Sequence, residues 1–203
     1  FHLAVIIFAL TLLFYFFIIP DEGIVDVFFA IVTSLATSGI AIYSSDIDIS
    51  LFCILLTIIG GSLLSTSSGI KYVRFYILLK ISYQEIYKLV KPINIFNNNL
   101  FNSETKIDDQ DIKISFLVFI SFILSIFVLS SILTLDALNF EESFKLSILT
   151  LTNTTNSALY GLESINFYAF NNFTKLIIII FMILAKIEII AVLLLIKKYL
   201  FKE

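Results

Sequence analysis

Charged side chains are scarce: Lys, Arg, Asp and Glu together make up 14% of the 203 residues, against about 25% in a soluble domain. Histidine and cysteine occur once each, at His2 and Cys53. That excludes a disulfide framework and a multi-cysteine metal site. No nucleophile–base pair, phosphate-binding loop or metal cluster can be assembled, so an enzyme is not expected. A basic stripe is also missing, and the net charge of −3 argues against a nucleic-acid partner. The chain opens without an initiator methionine or a charged leader, and its first apolar run has the length of a full span rather than of a cleaved signal. The expectation is the C-terminal part of a longer protein.

Apolar residues are in excess, at 59% of the chain, where a soluble domain carries roughly 45–50%. So much apolar surface cannot be hidden inside one globule of this size. Disorder, coiled coil and collagen fail on the same numbers, which leaves an all-α polytopic membrane protein.

A run of about 18 or more uncharged apolar residues can cross a hydrocarbon core of roughly 30 Å. Leu3 to Ile19, Ile114 to Leu135 and Phe173 to Ile196 qualify, stopped in turn by Pro20-Asp21-Glu22, Asp136 and Lys197-Lys198. Leu51 to Leu79 is long enough but is interrupted from Gly60 to Gly69 and reads as a broken span, giving four crossings in all. Ile24 to Ala36 and Glu141 to Thr152 are too short to span, begin beside carboxylates and end in small polar residues. They are candidate re-entrant half-helices, since irregular backbone at membrane depth must be buried in protein or line a water-filled path.

Lysine and arginine set the orientation. The Lys71–Lys113 loop carries Lys71, Arg74, Lys80, Lys88, Lys91, Lys106 and Lys113, and the C-terminal tail adds Lys197, Lys198 and Lys202. The other side has Lys145 and Lys175 among many acids. The loop and the C-terminus are therefore expected on the cytoplasmic side, with both half-helices entering from outside.

A shift of 116 residues brings the two halves into the same order of span, acids, half-helix, polar stretch and span, and pairs Asp26 with Glu142, Phe28 with Phe144 and Leu35 with Leu151. The chain divides into one unit at 1–80 with a broken second span, a cytoplasmic linker at 81–113 and a second unit at 114–203. Each half-helix would aim the partial negative charge of its C-terminus at the bilayer centre, and the carbonyls that follow could replace the water shell of a cation. Two such units would form part of a cation pore; the remainder comes from a second copy or from repeats upstream.

Four segments resemble the Trk/Ktr/HKT superfamily of potassium transporters, in family order. They are Leu35-Ala36-Thr37-Ser38-Gly39-Ile40; Gly60-Gly61-Ser62 through Ser65-Thr66-Ser67-Ser68-Gly69-Ile70-Lys71 with Arg74; Leu89-Val90-Lys91-Pro92; and Met182-Ile183-Leu184-Ala185-Lys186-Ile187-Glu188. The match is to the third and fourth repeats of a pore subunit of TrkH/KtrB type, and the resemblance implies a four-repeat, pseudo-tetrameric cation pore of which this chain supplies two span–half-helix–span repeats. The resemblance implies potassium uptake across the cytoplasmic membrane, with no cofactor beyond the transported ion. It places filter carbonyls at Thr37, Ser38 and Gly39 and at Asn153, Thr154 and Thr155. A gate would lie at Gly60, Gly61, Ser62, Ser65, Thr66, Ser67 and Gly69, with a fixed pore charge at Lys186. It implies a homodimer in the membrane and a cytosolic nucleotide-binding regulatory subunit of TrkA/KtrA type. The chain departs from the family where Asn-x-Gly-Pro-Gly is usual, since it reads Asn153-Thr154-Thr155-Asn156-Ser157, and where Lys186 replaces arginine. A sodium-permeable relative and a non-conducting structural or regulatory subunit descended from such a pore stay open as alternatives.

Overall fold

The computed structural model describes residues 2–18, 23–40, 49–62, 67–91, 99–100, 106–136, 138–154, 158–162 and 165–186. In chain order its helices are α1 (His2–Leu13), which runs on into a π-helical turn at Phe14–Ile18, α2 (Ile24–Leu35), α3 (Ser50–Ile59), α4 (Tyr72–Val90), α5 (Asp109–Thr134), α6 (Phe140–Thr152) and α7 (Asn172–Lys186). Short 3-10 turns at Ala158–Tyr160 and Phe167–Ala169 join α6 to α7. No strand occurs among the described residues.

The longest helix, α5, shows how the apolar excess is used. Its 26 residues reach about 39 Å at 1.5 Å per residue, more than the hydrocarbon core. Asp108 starts it with a capping box: its side chain accepts the Asp109 N–H at 2.9 Å, and Asp111 accepts the Asp108 N–H at 3.3 Å. Phe122, Ile126, Leu129 and Leu133 form a buried face, while Leu117, Ile120, Leu124, Phe127 and Val128 form an exposed one. Both faces are apolar, the pattern of a helix packed on protein at one side and lipid at the other. The hydroxyls of Ser115, Ser121, Ser125, Ser131 and Thr134 each donate to a carbonyl three or four residues back, which satisfies them in hydrocarbon, whereas the buried Ser130 hydroxyl has no hydrogen-bond partner among the described residues.

The short helix α6 has the opposite character. Every residue from Lys145 to Thr152 is buried, together with Ser143. Its apolar side chains pack with the buried face of α5, with Cys53 and Ile54 of α3, and with Tyr160 and Leu162. A second cluster joins Phe14, Val27, Ile31 and Leu35 to Leu56. Because Cys53 and Leu56 belong to different clusters, α3 is the element shared between them.

Of the four expected crossings, α5 alone among the described residues is long and apolar enough to span by itself. The broken span is realised as α3 and α4 with residues 60–71 between them. Helix α4 continues through residue 80 to Val90, so the first ten residues of the expected linker are helical. The ends of the first and last expected spans, at Ile19 and from Ile187 to Ile196, lie outside the described residues.

At the end of α5, the Asp136 carboxylate accepts the Asn171 backbone N–H at 3.0 Å and also the Asn171 carboxamide. This ties the exit of α5 to the start of α7. Asp136→Ala is expected to cost about 1 kcal/mol, the loss typical of an N-terminal cap, read as a lower thermal midpoint in detergent. Asp136→Asn, which keeps one acceptor, should recover part of it.

Candidate functional site

Helices α2 and α6 end in the same way. Thr37 (φ 55) and Asn153 (φ 51) both turn the chain left-handed. Thr37 N–H donates to the Ser34 carbonyl at 3.1 Å and Ser38 N–H to the Thr33 carbonyl at 3.0 Å. Asn153 N–H donates to the Thr150 carbonyl at 3.2 Å and Thr154 N–H to the Leu149 carbonyl at 2.9 Å. These are Schellman turns, and the two sets of bonds are related by the same shift of 116 residues. Threonine seldom adopts a positive φ, because its branched Cβ crowds the backbone there. Burial of Thr37 and the bonds around it hold that conformation.

Both helices carry acids in their first turn, Asp26 in α2 and Glu141 and Glu142 in α6, and neither has a base in its last turn. By contrast, α4 and α7 end with Lys88 and Lys186. The C-terminal partial negative charge of the two short helices is thus left uncompensated by a nearby lysine or arginine on the same helix. Both ends are inside the protein: Thr33, Ser34, Leu35 and Thr37 are buried, as are Thr150, Leu151, Thr152 and Thr154.

Beyond the first cap, Ser38 Oγ donates to the Thr33 carbonyl at 3.2 Å and Gly39, at φ 69, donates its N–H to the same carbonyl at 3.4 Å. Beyond the second, the Thr152 and Thr154 hydroxyls share a hydrogen bond of 2.7 Å. Thr155 lies outside the described residues.

The break between α3 and α4 is bonded back onto itself. Gly61 N–H donates to Ser67 Oγ, Ile70 N–H to the Ile58 carbonyl and Tyr72 N–H to the Gly61 carbonyl, each at 3.0 Å. Backbone at membrane depth needs such internal partners. The chain turns at Gly60 (φ 67), Gly69 (φ 89) and Lys71 (φ 70). At Gly60 a Cβ would come within 2.6 Å of the Ser68 carbonyl oxygen, so glycine is required there. Ser62 is described and half-buried; Ser65 and Thr66 lie outside the described residues.

Lys186 is the last described residue of α7, one turn beyond Met182. The Met182 carbonyl accepts the Asn153 carboxamide at 3.1 Å, and the same carboxamide donates to Ser68 Oγ at 3.3 Å. The end of α6, residues 67–71 and α7 therefore meet at one side chain. Sequence reasoning missed this, because the partners are 85 and 29 residues away and no local pattern marks them. It also missed the burial of Lys145, whose ammonium pairs with Glu141 at 2.7 Å and donates to Ser50 Oγ, the first residue of α3, at 3.4 Å.

No family model and no curated protein matches the sequence. The structure matches that of the potassium transporter TrkH from Vibrio parahaemolyticus, with a TM-score of 0.78 over 95% of this chain, at 20% sequence identity. The chain has the TrkH fold. It is a polytopic α-helical membrane fold, and this chain spans 42% of the length of that TrkH chain. Among the described residues the TrkH-like architecture brings together Asn153, Ser67 to Lys71 and α7, while Thr37 to Gly39 lie at the end of a separate short helix.

Proposed function

We propose that the chain supplies two quadrants of a pore that carries potassium into the cell, and that it works as a transporter rather than an enzyme. The observation that carries this reading is the matched pair of half-helix ends, each buried, left-handed and without a basic residue in its last turn. Two such ends facing a common axis would stabilise a partly dehydrated cation. Carbonyls of Thr37 to Gly39 and of Asn153 to Thr155 would take the place of its water. Residues Gly60 to Gly69 act as the gate, and Lys186 places a positive charge near the inner path. The TrkH fold supports the choice of potassium.

The lysine-rich face, including the Lys71–Lys113 loop and the C-terminus, lies in the cytoplasm under this reading. The pore is completed by further repeats of the same kind in the whole protein, which pairs as a homodimer and is controlled by a cytosolic nucleotide-binding subunit. A non-conducting relative is favoured by one observation: threonine occupies position 155, where glycine would give the filter backbone its freedom.

The deciding experiment is rubidium against sodium uptake in bacteria that lack potassium uptake, expressing the complete gene. Rubidium flux several-fold above the empty-vector level, and above sodium, is the expected result. Sodium flux alone would point to a sodium-permeable pore. No flux in the wild type, with flux restored by Thr155→Gly, would overturn conduction and favour the silenced relative.

A further inference from the structure

Lys145 places a base inside one of the two half-helices, and no part of the proposed filter uses it. It is 6% exposed. Its ammonium pairs with Glu141, one turn back on α6, at 2.7 Å and donates to Ser50 Oγ of α3 at 3.4 Å. Close by is the turn at Gly161 (φ 66), where a Cβ would stand 3.7 Å from Nζ. The half-helices differ in this respect. The position 116 residues before Lys145 is Phe29, and α2 contains no lysine or arginine.

The net charge of the pair is zero, but its two halves are screened unequally. The Glu141 side chain is 76% exposed and the Lys145 side chain 7%. Water and salt largely screen an exposed charge beyond about 8 Å, while a buried one acts through an effective dielectric of about 20. Lys145 lies eight residues before the cap residue Asn153, about 12 Å at 1.5 Å per residue. Its side chain reaches back along the helix by a further turn, to roughly 18 Å. A unit charge at that distance changes the affinity of a monovalent cation about fivefold.

We infer that Lys145 is an affinity-setting charge: through the protein interior it repels a cation held at the cap of α6, and the exposed Glu141 does not cancel it. This deepens the reading of the half-helix ends as a cation site and rests on it. Weakened binding serves transport, because an ion that is conducted must leave as well as enter.

The test uses the complete protein with Lys145→Met, Lys145→Gln, Lys145→Arg and Glu141→Gln at constant ionic strength. One readout is the rubidium concentration that half-saturates uptake. The other is the concentration that gives half the rubidium-induced rise in thermal midpoint of the purified protein, which requires no conduction. Both neutral variants are expected to lower each concentration about fivefold. Lys145→Arg, which keeps the charge, and Glu141→Gln, which removes a screened one, should each stay within about twofold of the wild type. The rubidium-to-sodium ratio should not change, since a charge so far away acts alike on all monovalent cations. Lys145→Gln keeps a donor toward Ser50 and decides the matter if Lys145→Met fails to fold. Unchanged half-saturation in the folded neutral variants, or Lys145→Arg behaving as they do, would overturn the inference. So would an altered rubidium-to-sodium ratio, the mark of a distorted filter rather than of a lost charge. Rubidium bound but not carried by the wild type would overturn conduction alone. Rubidium neither bound nor carried would overturn the cation site, and the inference with it.

Discussion

Gly69→Ala is expected to destabilise the protein by roughly 2–5 kcal/mol, combining the cost of a left-handed alanine with that of overpacking. Gly69 sits at φ 89, and a Cβ there would lie 2.8 Å from the Thr57 carbonyl oxygen and 2.9 Å from that of Ile58. Neither obstacle can step aside. Both are backbone atoms of the last turn of α3, and the Ile58 carbonyl already accepts the Ile70 N–H at 3.0 Å. Relief would require the segment to lift off α3, breaking the bonds that satisfy its backbone at membrane depth. The measurement is the thermal midpoint of the detergent-solubilised protein by size-exclusion, alongside its yield in the membrane. Gly23→Ala is the control. Gly23 has φ −68, and its added Cβ would meet the Asp26 carboxylate, the movable end of a side chain. It should stay within about 1 kcal/mol of the wild type, in the range of an ordinary surface change. A Gly69→Ala variant as stable as Gly23→Ala would mean that the segment does not return onto α3.

Two leucines five residues apart on α5 should respond in opposite ways to the same substitution. Leu129 is fully buried between α5 and α6. Leu129→Ala opens a cavity in the contact that holds the short helix, at a cost of about 2–5 kcal/mol. Leu124 is 59% exposed, and Leu124→Ala should fall within about 0.5 kcal/mol of the wild type, since lipid chains fill the space that the side chain leaves. Leu124→Asp separates lipid from water as the surrounding medium. On a water-facing helix it would be mild; at mid-membrane it costs about 2.5–3.5 kcal/mol on insertion scales. Membrane integration of each variant, measured by alkaline extraction, checks this. Full integration of Leu124→Asp would contradict a lipid-facing α5.

Much of the architecture was legible in local pattern. The apolar run of α5, Ile114 to Leu135, bounded by Lys113 and Asp136, reads as a span because hydrocarbon thickness sets a length that needs no tertiary context. The short helices α2 and α6 were legible for the same reason in reverse: each is apolar but too short. Gly60 and Gly69 marked the break in the Leu51–Leu79 run, and both have positive φ. The continuation of α4 past Lys80 to Val90 was less legible. Lysine, at 80 and 88 in this stretch, is a good helix former and marks no helix end.

The left-handed turns at Thr37, Lys71 and Asn153 could not be read in advance for Thr37 and Lys71, since intrinsic preference argues against both. Nor could the burial of Lys145, which charge counting had placed at an outer surface. Its ammonium is buried because α3 and α6 pack together, which brings Ser50 within 3.4 Å of it from 95 residues away. At 20% identity to TrkH, few residues carry the likeness; the order and lengths of the elements carry it instead.

Local pattern was enough to set the medium and the number and lengths of the apolar segments. Those follow from transfer energies and backbone sterics that act over a few residues. Tertiary packing is what buries the ends of α2 and α6, returns Gly69 and Ile70 onto the last turn of α3, and joins Asn153 to Ser68 and Met182. Each depends on hydrogen bonds and packing between segments far apart in the chain, where the energy lies in the pairing and no single residue announces its partner.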